Sequence, residues 1–280
     1  MVTSLHSRFL AEFHLPIFSL QDANGRTIDL KESFAPSSKI ILGIKFLLVL
    51  FAISGVIDCM SDDFFWLAYL TNWGEVIGTV YLLLSFMVAV GWIPVIIMED
   101  DAEGEEGQQA SAATVWTKIV WGLFPGIITV QMIIVVMFWF AIYDSEELTY
   151  QLIFGHGLMF IAIALDGHVL NRTPIRLKQS AFGYLIATAY IIWTLIHGLA
   201  TNIGNPNHVN TGADDDAIYD IINWSARPLT TLITVAIVYV VVAPLLFAIC
   251  WGLSIGVPRR YLSKEKEGDD DIVNITTSLL

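Results

Sequence analysis

Few side chains in this sequence could do chemistry, and they stand inside or beside long apolar runs. Thr71 and Asn72 open one run, with Glu75 just inside it. His156 and Asp166 lie within another, His168 closes it, and His197 ends a third. Ionisable groups inside a membrane are costly to keep there and point to function by default. A helix rises about 1.5 Å per residue, so His156 falls roughly 9 Å below the outer start of its run and Asp166 roughly 15 Å further in. These two cannot act on the same atom. Thr71, Asn72, His156 and His197 instead share one layer, near the outer ends of three different runs.

The chemistry that would use this layer is ester hydrolysis. A threonine hydroxyl is a poor nucleophile until a base takes its proton. A neutral imidazole within hydrogen-bond reach does so, which gives that part to His156. Asn72 or a tyrosine hydroxyl could support the oxyanion. A site at this depth would receive its substrate sideways from lipid, so the substrate would be an acyl ester. Each residue also has a plainer use. A lone histidine in a membrane helix is often a packing residue, and threonine is ordinary there. The glycines on both sides of His156 leave space beside the ring. Asp166 is expected to snorkel or to pair with Arg172 or Arg176 near the cytosolic face. His197 is expected at the interface, and Glu75 in water at its helix mouth.

The elements that must hold these groups are membrane helices. Of 280 residues, 55% are hydrophobic and 15% charged, well below the roughly 25% charged of an average soluble domain. The apolar residues form blocks long enough to cross a bilayer, about 20 residues per helix. Strand-like alternation of the barrel type is absent. The blocks predict six spans in one all-α bundle: about Ile40–Ile57, Tyr69 or Trp73 to Ile97, Ile119–Ile142, Tyr150–Val169, Ser180–Leu199 and Pro228–Ser254. Residues 1–39 form a polar leading segment, in which Leu5, Phe9 and Phe13 could make an interfacial helix. Residues 40–255 hold the membrane domain, and 256–280 a charged tail. The run Glu99–Gln109, with six carboxylates, predicts a disordered loop. Gly74–Gly78, Gly122–Gly126 and Gly252–Gly256 match the small-residue spacing of close helix contacts.

Orientation follows Lys and Arg. Alternating spans put thirteen of the fourteen on the side that holds both termini, and only Arg227 on the other. Both termini are therefore expected in the cytosol, in the endoplasmic reticulum, plasma or another organelle membrane. Glycosylation sequons stand at Asn171, Asn223 and Asn274, two on the cytosolic side and one close to a span, so no N-glycan is expected. The net charge of −13 disfavours nucleic acid as a partner. Cys59 and Cys250 lie toward opposite faces, too far apart for a disulfide. No Cys/His metal spacing occurs, and neither metal nor cofactor is expected. A haem between His156 and His197 is a weak alternative, and a transporter, for which no inverted repeat is visible, a weaker one still.

Three stretches carry a family resemblance. They are Leu70-Thr71-Asn72-Trp73, then Gly155-His156-Gly157 continuing through Leu165-Asp166 to Pro174-Ile175-Arg176-Leu177, and Tyr190-Ile191-Ile192-Trp193 followed by Ile218-Tyr219-Asp220-Ile221-Ile222-Asn223-Trp224. Over about residues 40–255 the chain resembles the androgen-induced/rolling stone family of multi-span membrane proteins, and its rolling stone branch more closely. The resemblance implies a threonine-type hydrolase of fatty acid esters of hydroxy fatty acids, with Thr71 and His156 as the essential pair. The rolling stone branch implies a role in cell fusion, and the small soluble fraction and nine tryptophans suit an alternative: a non-enzymatic protein of adhesion or fusion, or an accessory subunit with a membrane-protein partner. The Asn205–Asp216 stretch departs from the family's compact outer loop.

Overall fold

In the computed structural model, residues 5–21, 26–36, 38–60, 66–98, 111–143, 147–200, 219 and 221–260 are described. Six helices in this set are long and apolar enough to cross a membrane: Lys39–Met60, Leu70–Ala89, Val115–Ile142, Tyr150–Leu170, Leu177–Ile196 and Pro228–Gly256. They match the expected spans to within a few residues, except that the second stops at Ala89. Gly91, with φ +81°, makes the turn out of it. Ile96–Met98 and Ser111–Ala113 then pair as a short antiparallel hairpin, a small exception to the all-α expectation. The Glu99–Gln109 run lies outside the described residues.

The third span is the hub. It packs against the second, fourth, fifth and sixth, and the second also packs against the first and fourth. Within the most apolar stretch of each span, 72% of residues are buried in the third but only 17% in the sixth. The outer faces carry exposed Leu47, Leu185, Val240 and Leu253, as lipid-facing surfaces should. Helices suit this setting because lipid offers no partners for unpaired backbone groups. Two of the three glycine pairs stand at tight contacts. Gly74 and Gly78 face Gln131, Ile134, Ile163 and Met159, and Gly122 and Gly126 face Phe182. Gly252 and Gly256 meet nothing within 4 Å, so the third spacing marks no helix contact.

Residues 5–21 and 26–36 cap one end of the bundle. The helix Leu5–His14 lays Phe9 against Trp251, with ring centroids 5.7 Å apart. Leu30–Phe34 follows, capped by Asp29, whose carboxylate accepts from the Glu32 amide at 2.9 Å. The Asp29 amide donates to the Arg260 carbonyl at 3.0 Å, so the two ends of the described chain meet here. Arg176 is the tie. Its guanidinium pairs with Glu12 at 2.8 Å and donates to the carbonyls of Ser19 and Gln21 at 2.8 and 2.6 Å.

That pairing corrects the expectation for Asp166, which bonds neither Arg172 nor Arg176. Its carboxylate meets Lys45 of the first span at 2.6 Å, and accepts from Tyr81 (2.8 Å), Ser85 (2.7 Å) and Asn171 (2.8 Å). Lys45 also donates to Ser85 at 2.7 Å. Asp166 and Lys45 are each 1% exposed, so neither snorkels. A buried charge is tolerated when it is paired and hydrogen-bonded. Asn171 and Asn223, two of the three sequon asparagines, have buried side chains, and Asn223 caps a turn by accepting from the Ala226 amide.

Candidate active site

The opposite end of the bundle brings Thr71 and His156 together. Thr71 sits in the first turn of the second span, just after Tyr69, whose extended backbone starts the helix without a side-chain cap. His156 sits where the fourth span loses regularity. Phe154–Leu158 forms a π-turn, and His156 itself has φ −105° and ψ 17°, outside helical values. Such widened turns recur at functional sites because they re-aim a side chain. The Thr71 hydroxyl oxygen lies 3.0 Å from His156 Nε2.

The other ring nitrogen fixes the proton. His156 Nδ1 lies 2.9 Å from the Leu152 carbonyl oxygen, which can only accept. Nδ1 therefore carries the hydrogen, Nε2 presents its lone pair, and the Thr71 hydroxyl donates to it. The hydrogen bonds run in the same order as in the hydrolase triads, with a backbone carbonyl where a carboxylate usually stands. The ring is also clamped. Phe138 stacks on it at 3.5 Å between centroids and 18° between planes, and Trp139 Nε1 donates to the His156 carbonyl at 2.7 Å. Both aromatics come from a second π-turn, Phe138–Ile142, that ends the third span.

Gly155 allows the second and fourth spans to close. A Cβ there would lie 2.5 Å from Glu75 Oε1 and 2.6 Å from Thr71 Cγ2. Glu75, one turn after Thr71, is 1% exposed and so not in water at the helix mouth, as its position near the start of the span suggested. Its Oε1 meets the Cys59 thiol at 3.8 Å, and its Oε2 has no hydrogen-bond partner among the described residues.

Around the pair lies a cavity of about 920 Å³. Its walls are largely apolar, with Ile133, Ile134, Met137, Leu152, Val235 and Val238 among them. Thr71, Asn72, Glu75, His156, Tyr190 and Tyr219 supply polar atoms. Tyr219 accepts from the Leu70 amide at 3.3 Å, beside Thr71. Burial pushes its phenol above the ordinary tyrosine value, so it remains an O–H donor. The Tyr190 hydroxyl donates to the Ala68 carbonyl at 3.0 Å.

Of the residues named from sequence, Thr71, His156 and Asn72 line this cavity. Asp166 belongs to the separate polar cluster near the capped end. The side chain of His197 lies outside the described residues. Both nitrogens of His156 are engaged by Thr71 and Leu152, an arrangement suited to proton transfer more than to axial ligation of a haem. Glu75 stood among the sequence candidates but was assigned to water; Leu152, Phe138, Trp139 and Tyr219 were not legible as site residues. The Gly-His-Gly triplet was the one signal, since paired glycines mark a place where a helix can deform.

The family model described as "Protein rolling stone" matches residues 36–260. Protein rolling stone of Drosophila melanogaster is 22% identical over 187 residues, which cover 64% of this chain and 63% of that relative. The chain thus aligns with less than two thirds of that relative's length. No solved structure matches.

Proposed function

The chain belongs to the rolling stone family of multi-pass membrane proteins, and on that premise we propose that it is an intramembrane lipid-ester hydrolase of the threonine type. The observation that carries this reading is the 3.0 Å contact between the Thr71 hydroxyl and His156 Nε2, inside a cavity large enough for an acyl chain. Fatty acid esters of hydroxy fatty acids, or similar acyl esters arriving from the bilayer, are the substrates that the family resemblance implies.

The steps follow from the hydrogen bonds. Thr71 Oγ1 attacks the ester carbonyl while its proton passes to His156 Nε2. The Leu152 carbonyl, already bonded to Nδ1–H, stabilises the imidazolium that forms. The tetrahedral oxyanion lies at the first turn of the second span, where backbone N–H groups have no intrahelical acceptor and the helix dipole is positive. The Tyr219 hydroxyl stands beside that turn. Collapse expels the alcohol, which takes the proton from Nε2, and leaves an acyl ester on Thr71. Water, deprotonated by His156, then releases the fatty acid and restores the threonine hydroxyl.

The test is turnover of acyl esters by protein purified into lipid nanodiscs. Thr71→Ala and His156→Ala are each expected to lower kcat by at least about a hundredfold, as general-base removal does, with monodisperse protein retained. Near-normal hydrolysis by either variant sinks the proposal. No turnover by the wild type would favour the non-enzymatic role in adhesion, fusion or a larger complex.

A further inference from the structure

We infer that the cavity selects an uncharged ester whose alcohol part carries free hydroxyl groups, such as a monoester of a polyol, and rejects an ester bearing a free carboxylate. This rests on the hydrolase reading and names the substrate class of the same site. It departs from the class that the family resemblance implies, since a fatty acid ester of a hydroxy fatty acid keeps one free carboxylate.

Three observations carry it. First, among the described residues the cavity lining contains one acid, Glu75, and no lysine or arginine. A carboxylate drawn into such a space would lose its hydration without gaining a counter-ion, which is unfavourable unless it is paired. Second, the surrounding sequence repeats the bias. Asp58 lies in the last turn of the first span, and the stretches that connect the spans at this end hold Asp62, Asp63, Asp144, Glu146 and Glu147, the acids of 214–216 and 220, and a single cation, Arg227. A field of one sign lowers the local concentration of like-charged ligands. Third, Glu75 offers an unmet acceptor. The residue lines the cavity, and its Oε2 is buried with no hydrogen-bond partner among the described residues. Buried polar atoms without partners are rare and call for a reason.

The distances suit a polyol ester. Glu75 Oε1 and Thr71 Cγ2 both lie within 2.6 Å of the place a Cβ on Gly155 would take, hence within about 5 Å of each other. With the ester carbonyl at Thr71 Oγ1, a hydroxyl one or two carbons beyond the ester oxygen falls within reach of Glu75. The hydroxyl donates and Glu75 Oε2 accepts. An ester without that hydroxyl leaves the acceptor unmet, which is how sites built around a hydroxyl discriminate.

The experiment compares four esters of one fatty acid with the wild-type protein in nanodiscs: a monoacylglycerol, the plain ethyl ester, the ester of a hydroxy fatty acid as free acid, and that compound's methyl ester. The monoacylglycerol is expected to exceed the ethyl ester in kcat/KM by about tenfold, the equivalent of one net hydrogen bond. The free acid is expected to fall below its methyl ester by at least about tenfold. Glu75→Met, close in volume but unable to accept, is expected to raise KM for the monoacylglycerol and collapse its advantage over the ethyl ester. Glu75→Gln keeps an accepting oxygen and should restore most of it. The wild-type ordering stands whether or not the methionine variant folds. Preference for the free acid, or equal turnover with and without hydroxyls, overturns this inference alone. Failure to hydrolyse any of the four overturns the hydrolase reading and this inference with it.

Discussion

Thr71 and His156 depend on a residue with no side chain. At Gly155 a methyl group would press on Thr71 Cγ2 at 2.6 Å and on Glu75 Oε1 at 2.5 Å. Glu75 can turn its carboxyl away, but Thr71 is β-branched and fixed in a helix. Gly155→Ala should therefore push the second span off the fourth and lengthen the 3.0 Å contact. The expected result is a kcat about 10–100 times lower, because a displacement near 1 Å costs that much in a positioned site. A stability loss of about 1–3 kcal/mol should accompany it, as overpacking does. Kinetics with thermal unfolding in detergent check both. A variant with full activity would mean that the closeness of these two helices does not matter to the site.

At the scale of elements, the bundle is locked at one end so that it can be hollow at the other. Near the capped end, Lys45 of the first span, Ser85 and Tyr81 of the second and Asp166 of the fourth form one closed network. Lys45→Met should cost about 3–5 kcal/mol, since it strands a buried carboxylate. Lys45→Met with Asp166→Leu should recover much of that loss, because no unpaired charge remains. Thermal denaturation of the single and double variants decides it, and additive losses would mean that the pair is not coupled. At the hollow end the spans are irregular instead. The π-turns Phe138–Ile142 and Phe154–Leu158 give up regular helix bonds, and the atoms they expose take up Trp139 and the histidine ring.

For the whole molecule, the capping segment and the topology give separate predictions. Arg176 holds residues 5–21 and 26–36 to the bundle through Glu12, Ser19 and Gln21. Arg176→Met should release that segment, seen as faster proteolytic loss of the first ~35 residues while the spans stay intact. Unchanged protection would show that apolar contacts such as Phe9 on Trp251 suffice. The distribution of Lys and Arg predicts both termini in the cytosol. With Cys59 and Cys250 replaced, an impermeant thiol reagent should label Asn205→Cys but not Gly268→Cys in sealed vesicles of native orientation. The reverse pattern would invert the topology and place the cavity at the cytosolic end.

The sequence by itself determined that there are six apolar spans, their order and which polar groups belong to which end of each span. Hydrophobic length and rise per residue are properties of one segment at a time, and they add along a line. That was enough to put Thr71 and His156 in one layer and Asp166 in another. It could not give the rotation of each helix or the choice of neighbour, which depend on packing between segments far apart in the chain. Asp166 was matched by depth to nearby arginines, yet its partner is Lys45, 121 residues away. Glu75 was placed in water because it lies near a helix start, yet Gly155 and Cys59 pack over it. The atom that orients the His156 ring, the Leu152 carbonyl, is backbone and leaves no mark in residue type. Only the tertiary structure decided these, because the π-turn that re-aims His156 is stabilised by Phe138 and Trp139 of a different span.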